Sequence, residues 1–550
     1  MFGFLERQRL VRKGLASAKT RRRRSRREWV EALEYGMGGK LAVFAGFLGG
    51  LWMLIFSGGG AEETERGLLG LLVFLMALAQ LWMNHPGTWQ RSSRLLLVFT
   101  VLLVHLWALR WMLGVVEAGA GVDGVLQGGA AGVFTSTERQ QLWRLGLPLA
   151  FAPLTLSVLL GKNHGASAAL FVSLWSSVIC HALDARLLVM SLITGFLAVF
   201  GTIVVRRRAT VVRAGLLVGV GTWVLGVLFG WIGPVNWHAL GSTPWGLIGW
   251  QTLVAVGGAM LLAFVVGGGV VPMCEALFGI TTEMSWMELA DLNHPLLKRM
   301  TIEAPGTYHH SLVVASLAER AAEAVGANAS MARVCAYFHD IGKLVKPEYF
   351  AENFRNGRNP HDELAPTMSA LIILAHVKEG VDLGLKHRLN REIIDVIQQH
   401  HGTSLAYYFY QRALQQQEDM RAGGKIMNIR EEDVPEVREE TFRYGGPRPQ
   451  TRECAVINLA DAVESASRSL DRVSPQRLEQ LIRDIFQRKI ADGQLSECEL
   501  SLRELEVVAE SFVFTLQSMM HSRVAYPSER GEKQGGSAVA SKSSAPRSAA

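Results

Sequence analysis

The sequence has few cysteines and few charged side chains, and both shortages exclude classes of protein. Its five cysteines stand singly and form no Cys-x-x-Cys pair, which argues against a zinc ribbon and against a disulfide framework. Only 19% of the 550 residues are charged, and the mean hydropathy is positive at +0.19. Ordinary soluble globules are more polar. A membrane-embedded portion is therefore expected, together with reduced thiols.

Basic residues are concentrated ahead of the first apolar segment. A net charge of +7 could indicate nucleic-acid binding, but six arginines lie within 21–27. We interpret this run as a topology signal and expect no nucleic-acid partner. No small-residue cleavage site follows the apolar stretch 39–56, so a retained signal anchor is predicted and not a cleaved signal peptide.

Eight apolar segments approach the roughly 20 residues that a helix needs to cross a bilayer. They lie at about 39–57, 67–84, 94–115, 145–161, 166–182, 187–205, 214–232 and 247–271. The region 39–271 is therefore predicted to be a polytopic helical membrane domain.

Lysine and arginine are distributed unevenly between the predicted loops. With the basic segment 1–38 inside, the inner loops contain Arg91, Arg94, Lys162 and the cluster 206–208. The outer stretch 117–137 contains neither Lys nor Arg. This asymmetry follows the positive-inside rule. Eight crossings place the N-terminus and everything after 271 in the cytoplasm, on the inner side of the cell membrane.

The remaining chain has the pattern of water-facing helices. Segments 308–325, 330–339, 364–378, 391–401, 453–470 and 501–521 repeat apolar residues at helical spacing. We therefore predict a juxtamembrane linker at 272–300 and an all-α domain at 301–525. A polar insertion is expected at 411–443 and a disordered tail at 526–550.

Histidine and aspartate side chains lie at the ends of the apolar stripes of several of these helices. His400 and His401 continue the stripe of Ile393, Ile394 and Ile397. His339 with Asp340, and His376, follow the stripes of their own helices, whereas His310 precedes the stripe of segment 308–325. Buried imidazoles and carboxylates are costly unless they are paired or bind metal. A divalent-metal site is therefore expected, with Asp340 as the natural bridge between two cations and with iron or manganese favoured over structural zinc.

The motifs around these residues resemble those of a known family. They are 304–311 (Ala-Pro-Gly-Thr-Tyr-His-His-Ser), 339–343 (His-Asp-Ile-Gly-Lys), 359–361 (Asn-Pro-His), 400–403 (His-His-Gly-Thr) and 442–447 (Phe-Arg-Tyr-Gly-Gly-Pro). Together they are similar to those of the seven-transmembrane HD family, whose characterised PgpH-type members hydrolyse cyclic di-AMP. One departure is large, because the loop 57–66 leaves no room for the family's long extracellular sensor region.

The resemblance implies two metal ions and a defined set of ligands. One ion would be held by His310, His339, Asp340 and Asp461, and the other by Asp340, His376, His400 and His401. Asp340 and Lys343 are the implied catalytic residues. Lys343 could stabilise charge on a phosphate oxygen, and the alternative is a solvated lysine at a helix end.

Weaker candidates for substrate contacts lie nearby. His361 is either a supporting residue or a loop residue, Thr403 follows the ligand pair, and Tyr407 with Tyr408 and Tyr410 could stack a base. Core packing is the alternative for the three tyrosines. His309 is expected to point away from the site.

The leading hypothesis is a membrane-anchored phosphodiesterase that converts cyclic di-AMP to the linear dinucleotide and so lowers a second messenger. A related activity on cyclic di-GMP is the first alternative, although Gly402-Thr403-Ser404 stands in place of that group's Gly-Tyr-Pro motif. The second alternative is a membrane sensor that binds nucleotide without cleaving it. The expected partners are a cyclic dinucleotide and the lipid bilayer, and a homodimer stays open.

Overall fold

The structure is a computed structural model, and it describes residues 33–56, 63–118, 136–179, 185–232, 245–354, 359–427, 436–468 and 474–521. Within these ranges all regular elements are helices, apart from one isolated bridge between Leu405 and Arg443. The predicted all-α class is confirmed. Most of the basic N-terminal segment 1–38 and the whole predicted tail 526–550 lie outside the described residues.

Nine main helices make up the described part of the membrane half. They are α1 (Met37–Ile55), α2 (Glu63–Asn84), α3 (Ser92–Ala118), α4 (Ser136–Leu145), α5 (Phe151–Leu160), α6 (Lys162–Ile179), α7 (Ala185–Gly201), α8 (Arg208–Leu228) and α9, which runs from Trp245–Thr252 through Gly258–Val265 to Val271–Phe278. Two π-helical turns, Leu253–Gly257 and Val266–Val270, join the parts of α9, and the short helix Pro86–Trp89 links α2 to α3.

Five of these helices are long and apolar enough to cross a membrane. They are α1, α2, α3, α8 and the segment Ile248–Phe278 of α9. The predicted spans at 145–161, 166–182 and 187–205 form the shorter or less apolar helices α5, α6 and α7. The ten residues of α5 are about 15 Å long, half of a bilayer core. The helix ends at Gly161, whose φ of 95° does not continue a helix.

Large apolar side chains cover the outer surface of the membrane helices. Trp52, Met53, Trp111 and Leu228 are each more than half exposed. In water such a surface would be a large apolar patch, whereas lipid tails solvate it without cost. The described helices therefore have the outer surface of a membrane protein.

Ten α-helices are described in the second half of the chain. They are α10 (Glu283–Leu289), α11 (Pro295–Glu303), α12 (Pro305–Ala324), α13 (Ala329–Phe338), α14 (Pro366–Lys386), α15 (Arg391–Gln399), α16 (Tyr407–Met427), α17 (Arg452–Ser467), α18 (Pro475–Ala491) and α19 (Leu502–His521). Proline at the first position opens α11, α12, α14 and α18, and the side chains of Asn328, Thr451 and Ser474 cap α13, α17 and α18.

Three expectations for this half differ from the structure. The predicted linker 272–300 is folded, because α10 and α11 bury Trp286, Leu296 and Met300 in the core of the second half. The predicted polar insertion 411–443 is helical as far as Met427, because α16 extends through it. Helix α18 is missing from the prediction, although Leu478, Ile482 and Ile485 have helical spacing and are buried.

The two halves meet where the chain leaves α9. Glu275 Oε1 accepts hydrogen bonds from Thr282 Oγ1 and Ser285 Oγ, both at 2.6 Å. Thr281 Oγ1 donates to Glu392 Oε2 at 3.2 Å, near the start of α15. Arg208 at the start of α8 forms an ion pair with Glu288 of α10 at 2.9 Å. The segment 279–282, which joins α9 to α10, is therefore hydrogen-bonded to both halves.

Candidate metal centre

Asp340 lies at the centre of a buried cluster of imidazoles and carboxylates. It follows the last turn of α13, and a 3-10 turn, Ile341–Val345, begins directly after it. The seven side chains that the resemblance implied fall into two groups. Within each group, the possible ligand atoms all lie within 4.8 Å of one another. One group is His310, His339 and Asp461, and the other is Asp340, His376, His400 and His401.

The two carboxylate oxygens of Asp340 face different groups. Oδ2 lies 3.5 Å from His310 Nε2 and 3.2 Å from His339 Nε2. Oδ1 lies 3.5 Å from His376 Nε2 and 3.7 Å from His400 Nε2. One carboxylate therefore connects both groups, which is the arrangement that a bridging ligand between two cations requires.

Asp461 also lies between the groups. Its Oδ1 is 3.1 Å from His310 Nε2, and its Oδ2 is 3.4 Å from His401 Nδ1. This residue comes from α17, more than a hundred positions after Asp340. Helix α17 packs against α12 and α13, and this packing brings the distant carboxylate to the cluster.

Backbone carbonyl groups orient three of the imidazoles. The Nδ1 atoms of His339, His376 and His400 lie 2.7, 2.6 and 2.8 Å from the carbonyl oxygens of Ala336, Ile373 and Ile397, three residues earlier in each helix. A carbonyl can only accept, so Nδ1 is protonated and Nε2 presents its lone pair to the cluster. Metal-binding histidines are typically oriented in this way.

Unsatisfied polar atoms in this core match a metal site. His339 Nε2 and Asp340 Oδ1 are buried and have no hydrogen-bond partner in the part of the chain that the structure describes. Leaving such atoms unpaired costs about 1–3 kcal/mol each, whereas a cation would satisfy both. The donor set of the two groups contains imidazole and carboxylate and no thiolate, a combination that can bind a divalent cation.

The electrostatics keep most of the cluster in the form that binds metal. Burial lowers the pKa of His376 and of His401, and lowers that of His400 to about 3, so these imidazoles are neutral. Burial alone would raise the pKa of Asp340, but Lys343 and His339 hold it well below its usual range. Neutral imidazoles and ionised carboxylates are the protonation states that ligands need.

Lys343 is bonded to two carboxylates at the edge of the cluster. Its Nζ lies 2.8 Å from Asp340 Oδ2 and 2.8 Å from Glu352 Oε1. Burial opposes its charge, yet Asp340 and Glu352 raise the pKa of Lys343 above its ordinary value. The alternative of a solvated lysine is wrong, because only 13% of the side chain is exposed. Two of three ammonium hydrogens have partners, which leaves one for a ligand.

Two residues of the site were not assigned a role from the sequence. The buried Glu464 carboxylate bonds to His310 Nδ1, and Glu464 also pairs with Arg468. Its position three residues after Asp461 places both carboxylates on one face of α17. The Tyr444 ring stacks on the His401 imidazole, with ring centroids 4.3 Å apart. The motif 442–447 contains this tyrosine, but the sequence alone did not indicate that its ring contacts His401.

The weaker candidates lie outside the two groups. His361 is buried, donates to the Tyr349 carbonyl at 2.8 Å and packs on Phe409. Thr403 bonds to Gln494, with its backbone N–H 2.9 Å from Oε1. Tyr407 and Tyr408 are 66% and 62% exposed, so core packing is wrong for both. His309 is exposed, as predicted.

Glu464→Gln is expected to weaken divalent-metal binding by roughly tenfold to a hundredfold. Burial opposes protonation of His310, but bonds to Asp461 and Glu464 outweigh it and raise its pKa to about 9. An uncharged amide would orient the ring and polarise it less. Titration of the metal-free protein with Mn²⁺ against a chelating dye measures the change. Glu510→Gln, at an exposed position of α19, is the matched control, and equal affinities of the two variants would contradict the role of Glu464.

Residues 307–466, which contain all seven side chains of the two groups, match the family described as HD domain. The fold and the site therefore define an HD-domain protein.

The membrane half narrows the family. Residues 65–282 match the family described as 7TM receptor with intracellular HD hydrolase. The chain carries both domains, and the resemblance to the seven-transmembrane HD family is confirmed.

Named proteins from two bacteria are similar to this chain. The chain is 36% identical over 388 residues to cyclic-di-AMP phosphodiesterase PgpH of Listeria monocytogenes, which covers 70% of this chain and 50% of that protein. It is 43% identical over 278 residues to the Bacillus subtilis protein of the same name, covering 49% of this chain and 37% of that protein. The chain thus spans half or less of the length of these curated relatives.

A solved structure of the HD domain of such a relative also matches. It is the L. monocytogenes phosphodiesterase PgpH HD domain in complex with cyclic-di-AMP, which is 41% identical. The match covers 41% of this chain and 98% of that chain, with a TM-score of 0.37.

Proposed function

We propose that this protein is a membrane-anchored, metal-dependent phosphodiesterase that hydrolyses cyclic di-AMP to the linear dinucleotide pApA. The observation that carries the proposal is the pair of ligand groups joined by the two oxygens of Asp340. The names of the relatives from Listeria monocytogenes and Bacillus subtilis support cyclic di-AMP as the substrate.

The proposed ligands divide as the two groups do. His310, His339, Asp340 and Asp461 hold one divalent cation, and Asp340, His376, His400 and His401 hold the other, with iron or manganese as the cations. When bound, such ions polarise a phosphoryl oxygen and lower the pKa of water. Asp340 keeps both positions at a fixed separation, and Tyr444 limits the motion of the His401 ring by stacking on it.

Lys343 is the proposed electrostatic residue. Its ammonium is already held by Asp340 and Glu352, so no reorganisation is needed before its remaining hydrogen meets a phosphate oxygen. Contacts of His361, Thr403 and Tyr407 with the substrate stay predictions. Of these, Tyr407 has the exposed ring that base stacking requires.

The test is turnover by the full chain in detergent micelles. Metal-depleted protein, reconstituted with Mn²⁺ or anaerobic Fe²⁺, is expected to convert cyclic di-AMP to pApA and to lose activity on chelation. Preference for cyclic di-GMP would support the first alternative. Stoichiometric metal and nucleotide binding without any product would support the non-catalytic sensor and contradict the proposal.

We also infer that the N-terminus and the HD domain face the cytoplasm. The distribution of Lys and Arg supports this orientation. The ion pair of Arg208 with Glu288 supports it too, because it places a predicted inner loop beside the HD half. A reporter fused to the C-terminus should be active only in the cytoplasm, and periplasmic activity would contradict the orientation.

A further inference from the structure

Lys489 differs from Lys343 and Arg443, two other cations near the metal centre, in having no carboxylate partner among the described residues. Lys343 is bonded to Asp340 and Glu352, and Arg443 is bonded to Glu439 and Asp492. Lys489 Nζ instead donates to the Ser404 hydroxyl at 2.9 Å. No carboxylate oxygen of the described residues lies within 4.0 Å of it. This lysine is therefore a cation with a neutral partner.

Its position relates Lys489 to the loop that follows the ligand pair. The lysine lies near the end of α18 and reaches Ser404, three residues after His401. The Ser404 N–H donates to the His401 carbonyl at 3.1 Å, and the Ser404 carbonyl accepts from the Tyr444 N–H at 3.0 Å. Because Tyr444 stacks on His401, the ammonium is attached to the same loop that positions one side of the metal centre.

The surroundings of Lys489 disfavour its charge while it is unpaired. The side chain is only partly exposed. Burial lowers its pKa, and the carboxylates of Asp461 and Asp492 act in the opposite direction from a distance. A partly buried cation without a counter-ion is costly, and binding of an anion would recover that cost. Asp461 belongs to the metal cluster, so an anion held by Lys489 would lie beside the reaction site.

A cyclic dinucleotide brings two phosphates, of which one reacts at a time. We propose that Lys489, held by Ser404, binds the second, non-reacting phosphate of the substrate. Lysine is a common point-charge ligand for phosphate. This assignment rests on the proposed function, and it explains how a site built around one scissile phosphate could favour dinucleotides over simpler diesters.

The test compares two diesters on the full chain in detergent micelles with Mn²⁺. Cyclic di-AMP carries a second phosphate, and bis(p-nitrophenyl) phosphate does not. For Lys489→Met we expect KM for cyclic di-AMP to rise roughly tenfold to a hundredfold, the range of a lost charged hydrogen bond. The ratio of kcat/KM for cyclic di-AMP to kcat/KM for the simple diester should fall by a similar factor. Lys489→Arg should restore most of that ratio.

Arg488→Met is the matched control, since Arg488 is the exposed neighbour on α18 and bonds to the Asp484 carbonyl. Removing its charge should leave the ratio of the two substrates unchanged. An unaltered ratio in Lys489→Met, or an equal loss on both diesters, would overturn the assignment while the parent still hydrolyses cyclic di-AMP. A parent chain without turnover of cyclic di-AMP would overturn the proposed function and this assignment together.

Discussion

Replacing Asp340 by asparagine is expected to lower the turnover of cyclic di-AMP by roughly a thousandfold or more, about 4 kcal/mol of transition-state stabilisation. The carboxylate faces both ligand groups, through Oδ2 toward His310 and His339 and through Oδ1 toward His376 and His400. An amide of the same size carries no charge and presents one oxygen instead of two. It therefore removes a ligand from both proposed cation positions at once.

Metal content separates this explanation from a loss of folding. The Asp340→Asn protein should bind fewer Mn²⁺ ions per chain than the parent, as measured by elemental analysis after desalting, and should keep its helical circular dichroism. Asp484→Asn removes an exposed carboxylate from α18 and should change neither activity nor metal content. Equal turnover of Asp340→Asn and the parent would refute the two-metal mechanism.

Gly342→Ala is expected to destabilise the HD domain by about 3 kcal/mol, the upper part of the range for overpacked interiors. A Cβ atom at this position would lie 1.8 Å from the His376 carbonyl oxygen and 2.6 Å from the Gly380 backbone nitrogen. Both contacts are with backbone of α14, so no side chain can move aside. The turn after Asp340 and the helix that carries His376 would have to separate.

Thermal unfolding in detergent tests this expectation. The midpoint of the HD domain should fall by roughly 6–12 °C, and Mn²⁺ affinity should fall as well because His376 moves away from Asp340. Gly445→Ala serves as the control, since a Cβ there would meet no atom within 4 Å. If the Gly342 and Gly445 variants unfold at the same temperature, the close backbone approach is not needed for stability.

For His339 and His400, the apolar stripe that each one ends correctly predicts a buried position. Burial of Ile393, Ile394 and Ile397 fixes the rotation of α15, and the next turn then carries His400 into the interior. The same holds for Phe338 and His339 in α13. The helical period and burial thus indicate which side chains point into the core, and the motifs indicate which of those side chains could bind metal.

Partners that come from distant helices were not predictable in this way. Glu464 and Lys489 acquire their roles from packing of α17 and α18 against the rest of the domain. Helical spacing places a side chain on a face of its own helix and does not say what that face meets. In the membrane half, hydropathy located the apolar segments but not their interruptions, such as the end of α5 at Gly161.

Helix α15 has a different kind of contact at each end. Beside its first turn, Thr281 from the segment that leaves the membrane bonds to Glu392 and accepts from Asn390, and directly after its last turn stand His400 and His401. Nine helical residues resist bending, so the two ends move as one body. Helix α15 therefore joins the residues that leave the membrane half to the two imidazoles through a single short element.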